Sequence, residues 1–316
     1  MSVSCHISRR QFLATGAALV LTTRIPGALT EKPKFRKALI CGLPDEKTLA
    51  SLKEAGFDGI ESVAWNAAPE KAAAARKIAA SLGMRIHSVM RGWTQFNDPK
   101  VCADHITTVE TALRTAQIFG ADAILLVPCR IGGMKMPKPR EFQIEFDEKT
   151  GHLKRVGDGD YADYIKAHDI AVDASRAAYE KLIPVAEKCG VVIAHENVWN
   201  NLWVQPAVFA NFVGSFQSRW LRAYFDIGNH VKYAPPEAWI RALGPLVARC
   251  HVKDFLLNDD PGGGGKFVEI RDGSVKWPAV RAALAEVGYQ GWLTIEGSGL
   301  RPAEQARRLD LILAGQ

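Results

Sequence analysis

From about Phe35 onward, short apolar runs alternate with longer stretches in which apolar positions recur at helical spacing. The short runs read as buried strands over residues 37–41, 59–62, 85–89, 123–127, 191–196, 221–226, 248–253 and 292–296. The longer stretches predict amphipathic helices, among them residues 45–55, 69–82, 103–119, 170–189, 235–243 and 278–287. Several close on a glycine, as at Gly56, Gly83, Gly120, Gly190 and Gly288, where a left-handed helix stop is expected. Eight strands separated by helices predict an α/β fold, a (β/α)8 TIM barrel spanning residues 34–316. A doubly wound open sheet would carry a glycine-rich fingerprint after its first strand, and Cys41-Gly42-Leu43-Pro44 offers none.

Two segments interrupt the repeat. Residues 130–168 form an insertion in which Phe142, Ile144 and Phe146 alternate with polar residues. Asp147-Glu148-Lys149-Thr150-Gly151 then supplies a turn and 153–156 a returning strand, so a β-hairpin is expected after strand four. Loops after barrel strands lie on the catalytic face, which makes this hairpin either a lid or a plain surface excursion. The run Gly262-Gly263-Gly264-Gly265-Lys266 is not a phosphate loop, because the spacing is wrong and no Ser or Thr follows the lysine. It reads as a flexible loop after strand seven.

Composition narrows the class. At 316 residues and 47% hydrophobic content the chain can bury a large core. The net charge of +6 is concentrated early, at Arg9, Arg10, Arg24, Lys32, Lys34, Arg36 and Lys37, and no basic stripe with interleaved aromatics points to nucleic acid. Cys41, Cys102, Cys129, Cys189 and Cys250 are widely spaced without a CxxC pair, so free thiols are expected. Residues 1–33 stand apart: Ser8-Arg9-Arg10-Gln11-Phe12-Leu13 and the apolar run after it resemble a bacterial twin-arginine signal, implying periplasmic export by that machinery, with cleavage or retention as an anchor both open. The apolar run is too short for a membrane span, which needs about 20 residues.

Candidate chemistry sits at four strand ends: His195-Glu196, Phe225-Asp226, His251-Val252-Lys253-Asp254 and Ile295-Glu296. Alternation along a strand gives each one inward parity, so Glu196, Asp226, His251 and Glu296 converge near the barrel axis. Each taken singly also fits a loop cap or ion pair. Taken together, three carboxylates and one imidazole suit one divalent ion, Mn2+, Mg2+ or Co2+ in first place and Zn2+ or Fe2+ in second, with about two positions left for substrate oxygens.

The order Glu196, then Phe225-Asp226-Ile227-Gly228-Asn229-His230, then His251-Val252-Lys253-Asp254, then Ile295-Glu296 resembles the sugar phosphate isomerase/epimerase superfamily of xylose isomerase-like barrels, with ketose 3-epimerases and hydroxypyruvate isomerase-like proteins nearest. The resemblance implies that the four residues share one metal and that Glu196 and Glu296 are the acid/base pair of a sugar isomerase or epimerase. It also implies a substrate-orienting role for His230, although His230 lies four residues after Asp226 where the epimerases place it three after. Their arginine about six residues beyond the ligand histidine is replaced by Leu257. Lys253 has the parity to polarise a substrate oxygen or to form a salt bridge with Asp254 or a nearby carboxylate.

Glu61 and His87, at the ends of strands two and three, suit either the pocket or a local hydrogen-bonding role, and Trp65, Trp93 and Trp199, just after strands, suit either sugar stacking or ordinary loop packing. His195 should face the helix layer. The partners implied are a small carbohydrate and the export machinery, with self-association left open. A keto-sugar lyase or glycoside-cleaving enzyme would use the same site. An endonuclease IV-like enzyme needs more histidines, and a mere sugar-binding barrel has no need of both glutamates.

Overall fold

A computed structural model describes residues 35–260, 263–297 and 299–316; the segment read as an export signal lies outside them. The strands are β1 (Arg36–Cys41), β2 (Gly59–Ser62), β3 (Arg85–Trp93), β4 (Ala123–Val127), β5 (Ile144–Phe146), β6 (Leu153–Val156), β7 (Val192–Glu196), β8 (Leu221–Asp226), β9 (Val247–Val252), β10 (Asp254–Leu257), β11 (Gly265–Val268) and β12 (Trp292–Ile295). The helices are α1 (Glu46–Glu54), α2 (Pro69–Ser81), α3 (Cys102–Phe119), α4 (Ala162–Cys189), α5 (Pro206–Gly214), α6 (Pro236–Leu243), α7 (Trp277–Glu286) and α8 (Pro302–Leu313). Eight strands close in parallel in the order β1-β12-β9-β8-β7-β4-β3-β2, which is the TIM barrel expected.

Local chemistry sets the helix limits. Asp45 caps α1 by accepting the Thr48 N–H, and proline stands in the first turn of α2, α5, α6, α7 and α8, where its missing N–H costs nothing. Gly120 and Gly190 close α3 and α4 at φ of 74° and 67°. The larger core lies between sheet and helices. A small separate cluster of Leu125, Val127, Ala194 and Tyr224 fills the barrel interior. Among the described residues the five cysteines are all free.

The insertion after β4 holds the antiparallel hairpin β5–β6, and the segment leading into it meets the loops after β8 and β10: Phe142 packs edge-on to Tyr233, and a Cβ at Gly263 would lie 3.0 Å from Pro139 Cβ. Its turn is fastened to the outer wall: Asn211 Nδ2 in α5 donates to Glu148 O at 3.0 Å, and His152 Nε2 meets Asp173 Oδ1 in α4 at 2.8 Å. Leu153 and Val156 bury their side chains. The hairpin itself braces the wall through these contacts. Helix α4 also begins at Ala162 rather than near residue 170, shortening the insertion.

The second departure is after β9, where a second hairpin, β10–β11, takes up the end of the glycine run, Gly263 and Gly264 lying in the connection between its strands. Four successive glycines weaken any strand signal, yet Gly265 pairs with Leu257, and a Cβ there would lie 2.3 Å from Leu256 O. The hairpin is anchored by buried Asp254, whose carboxylate accepts the N–H groups of Phe255, Arg271, Gly273 and Val275 and the indole N–H of Trp277.

Candidate functional site

Four strands adjacent in the barrel, β7, β8, β9 and β12, each deliver one metal-capable side chain to the same mouth. Glu196 and Asp226 end β7 and β8, His251 is next to last in β9, and Glu296 directly follows β12. One ligand atom from each lies within 4.8 Å of every other. His251 Nδ1 is 3.0 Å from Glu296 Oε2, 3.2 Å from Glu196 Oε1 and 3.9 Å from Asp226 Oδ2. Glu196, Asp226 and His251 are buried, while Glu296 retains 28% side-chain exposure and opens to a cavity of about 470 Å3 shared with Lys253, Phe267 and Glu269.

Asp226 is aimed by its neighbours. Its Oδ1 accepts the backbone N–H groups of Gly228 and Asn229 at 2.8 and 2.7 Å, which turns Oδ2 toward the cluster. At Gly228 an added Cβ would meet the Lys253 backbone at 2.8 Å, so only glycine lets the two loops close on each other. Lys253 Nζ enters 3.0 Å from Glu296 Oε2, 3.6 Å from Asp226 Oδ2 and 3.4 Å from Asn229 Oδ1. It thus lies with the site carboxylates, and Asp254 is spent on the loop.

The electrostatics follow from burying three acids together. Burial pushes Asp226 up to about 7 and also raises Glu196. Burial works the same way on Glu296, but the charges of His251 and Lys253 outweigh it and hold that carboxyl below its usual range. For His251 burial opposes the charged form and is outweighed by Tyr224, Glu61, Glu196 and Glu296, so its affinity for a proton rises. Asp226 Oδ2 is a buried oxygen whose nearest cationic nitrogens, Lys253 Nζ at 3.6 Å and His251 Nδ1 at 3.9 Å, stand beyond hydrogen-bond distance, an expensive condition that a bound cation relieves. The donor set, its spacing and this oxygen fit a divalent ion held by Glu196, Asp226, His251 and Glu296.

Other residues picked out in the sequence fall elsewhere. Glu61 and His87 have no exposed surface, so neither touches a molecule in the mouth. Glu61 reaches across the barrel to His251 Nε2 at 2.6 Å, and His87 Nε2 meets Thr294 Oγ1 at 2.9 Å while its ring stacks on Trp292. His230 is turned away as well: its Nε2 meets Val198 O at 3.0 Å and its ring packs on Tyr233 and Trp239. The extra residue in its spacing carries it past the mouth, and Asn229, three after Asp226, stands beside Lys253 instead. Trp199 lies against Phe255 and Phe267 of the β10–β11 hairpin and donates its indole N–H to Asn229 O. Trp93, 42% exposed, stacks under Arg130 at 4.4 Å, and Trp65 stacks with Arg91 at 4.6 Å. His195 sits among Tyr179, Trp203, Phe209 and Phe212 in the helix layer. Sequence reasoning missed Asn197, Asn229 and Phe267; only the proximity of the two asparagines to strand ends could have flagged them.

A closed parallel barrel with three carboxylates and an imidazole at one mouth defines a class of protein, and comparison with known proteins agrees. The chain belongs to the xylose isomerase-like TIM barrel family, whose sequence profile matches residues 49–311. An uncharacterised protein of Methanocaldococcus jannaschii, MJ1311, is 25% identical over 142 residues, 44% of this chain; the chain spans about half (47%) of that relative's length. Among solved structures, 3-keto-D-glucoside 4-epimerase YcjR from E. coli superposes with a TM-score of 0.65 at 15% identity, covering 89% of this chain and 100% of that one. A xylose isomerase-like TIM barrel protein from Mycobacterium smegmatis in complex with magnesium gives 0.58 at 22% identity, covering 85% and 87%. At these identities the likeness is one of fold.

Proposed function

We propose that the protein is a divalent-metal-dependent sugar epimerase or isomerase that works by removing a proton next to a carbonyl. The observation that carries this reading is the convergence of Glu196, Asp226, His251 and Glu296, with the two glutamates as the outer members of four adjacent strands. A bound metal would polarise a carbonyl and its neighbouring hydroxyl, making the adjacent C–H acidic enough to ionise. Glu196 and Glu296 approach from different strands, so one takes the proton from one face and the other returns a proton from the opposite face, inverting the carbon. Lys253, beside Glu296 and Asn229, is placed to donate to a substrate oxygen. Phe267 and Trp199 offer apolar surface at the rim. The similar structures, one a 3-keto-D-glucoside 4-epimerase and one a magnesium complex, support a carbohydrate substrate and a hard divalent ion. The twin-arginine pattern at Arg9 and Arg10 supports work outside the cytoplasm on an unphosphorylated sugar or glycoside.

The test is deuterium wash-in. Protein loaded with Mn2+ or Mg2+ is incubated in D2O with ketoses, 3-keto sugars and 3-keto glycosides. Exchange without bond cleavage is expected, with loss in both Glu196→Gln and Glu296→Gln. Release of an aglycone would convert the reading to a lyase. Absence of exchange with every substrate, or undiminished exchange in Glu296→Gln, would overturn the assigned chemistry.

A further inference from the structure

Glu61 lies in β2, on the opposite side of the barrel from the strands that carry the metal-capable cluster, and it is not one of that cluster's four members. It is nevertheless fully buried, and both carboxylate oxygens are engaged: Oε2 with His251 Nε2 at 2.6 Å, Oε1 as acceptor of the Ser88 hydroxyl at 2.7 Å. The second contact depends on an irregularity in the sheet. Ile60 pairs with Ile86, but the register then shifts so that Glu61 pairs with Ser88, skipping His87. That shift places a hydroxyl against a carboxylate which would otherwise be buried with a single partner, at high cost.

We propose that Glu61 is a positioning residue for the metal centre, holding the His251 imidazole so that Nδ1 presents its lone pair to the ion. This rests on the metal-dependent reading above. With Glu61 accepting at both oxygens, from the Ser88 hydroxyl at Oε1 and from His251 at Oε2, the 2.6 Å contact puts the proton on Nε2 and leaves Nδ1 as the ligand atom. It is Nδ1 that faces Glu196, Asp226 and Glu296. The ring plane is fixed from a third direction by Tyr224, whose ring centroid lies 4.3 Å away. Tyr224 is itself tethered through its hydroxyl to Thr294 Oγ1 at 3.4 Å. A carboxylate behind a ligating imidazole fixes its tautomer and makes it a better donor, and removal of such partners typically weakens metal binding about 10–100-fold. With no exposed surface, Glu61 is excluded as a direct substrate contact.

The experiment measures Mn2+ binding to metal-free full-length protein by calorimetry, alongside the melting temperature of the metal-free form. Glu61→Gln keeps the shape and removes the charge, and it is expected to weaken Mn2+ binding about tenfold or more. Ser88→Ala leaves the carboxylate but removes its anchor, with about a threefold loss expected, so the test survives if Glu61→Gln folds poorly. Nitrogen NMR of the His251 ring in Mg2+-loaded wild type is expected to show the Nε2–H form with Nδ1 free of a proton. Equal Mn2+ affinity in wild type and both variants, even with a lowered melting temperature, would reduce Glu61 to a structural residue and overturn the proposal. No Mn2+ binding by the wild type would overturn the metal reading itself, and the role of Glu61 with it.

Discussion

Asn197 grips the backbone of Asp226 from both directions: its Oδ1 accepts the Asp226 N–H at 2.6 Å and its Nδ2 donates to Asp226 O at 2.9 Å. The β7–β8 ladder ends with Glu196 opposite Tyr224, so this side chain extends the pairing where backbone no longer can. The carbonyl of Asn197 in turn accepts Asn229 Nδ2 at 3.0 Å, tying the two site loops together.

Replacement of Asn197 by alanine leaves two buried backbone groups of Asp226 without partners. The expected cost is about 2–3 kcal/mol of folding stability, together with weaker metal binding because Asp226 Oδ2 loses its aim. Urea unfolding of Asn197→Ala against wild type checks this, and an unchanged midpoint would refute it.

The charges at the site predict how metal and Lys253 compete. Lys253 and a protonated His251 are the cations that face the three site carboxylates without metal. Metal at a hundred times its Kd should stabilise the wild type by about 2.7 kcal/mol, an effect a chelator reverses. In Lys253→Met the metal-free protein should melt lower while the metal-induced rise in Tm becomes larger, since a competing charge is gone. A rise equal to or smaller than that of wild type would show that the lysine does not compete.

How much of this was legible in the sequence follows from the range of the forces involved. Strands such as 123–127 announce themselves through continuous apolar runs, and Glu196, Asp226, His251 and Glu296 stand at predictable parity at the ends of four others. The hairpin after β4 was legible from alternation at Phe142, Ile144 and Phe146, but its place on the wall was not, because that depends on Asp173 and Asn211 on separate helices. Glu61 looked like a pocket residue since parity gives direction, not reach; its carboxylate stops at His251. The β10–β11 hairpin was hidden because Asp254 organises it through backbone N–H groups, which carry no sequence signature.

Asp254 is accordingly a point of high sensitivity. In Asp254→Asn one acceptor oxygen becomes a donor facing other donors, with an expected cost of roughly 2–4 kcal/mol. Gly273→Ala should hurt the same loop, because its Cβ would lie 2.0 Å from Asp254 Oδ1. If the two effects act through one contact, the double variant will lose less than the sum of the singles in denaturant unfolding. Simple additivity would show that they act independently.

His230 predicts the acid limb of stability. Burial pushes its imidazole down to about 3, and its surroundings, Tyr233, Trp239 and the Val198 carbonyl with Lys232 nearby, offer no carboxylate to stabilise the cation. In the unfolded chain the same ring titrates near about 6.5. Between these values the unfolded state binds a proton that the folded state does not, so stability from this residue is complete above the unfolded value and is lost as the pH falls. From pH 6.5 to pH 5 the loss amounts to about 2 kcal/mol. His230→Gln keeps a donor for Val198 O but cannot titrate. Its urea midpoint should therefore fall less than that of wild type between pH 7 and pH 5, whereas the other buried imidazoles, His87, His168, His195 and His251, contribute equally to both proteins and cancel in the difference. Parallel losses in the two proteins would mean that His230 gains access to a proton in the folded state, and that its packing on Trp239 opens as the pH is lowered.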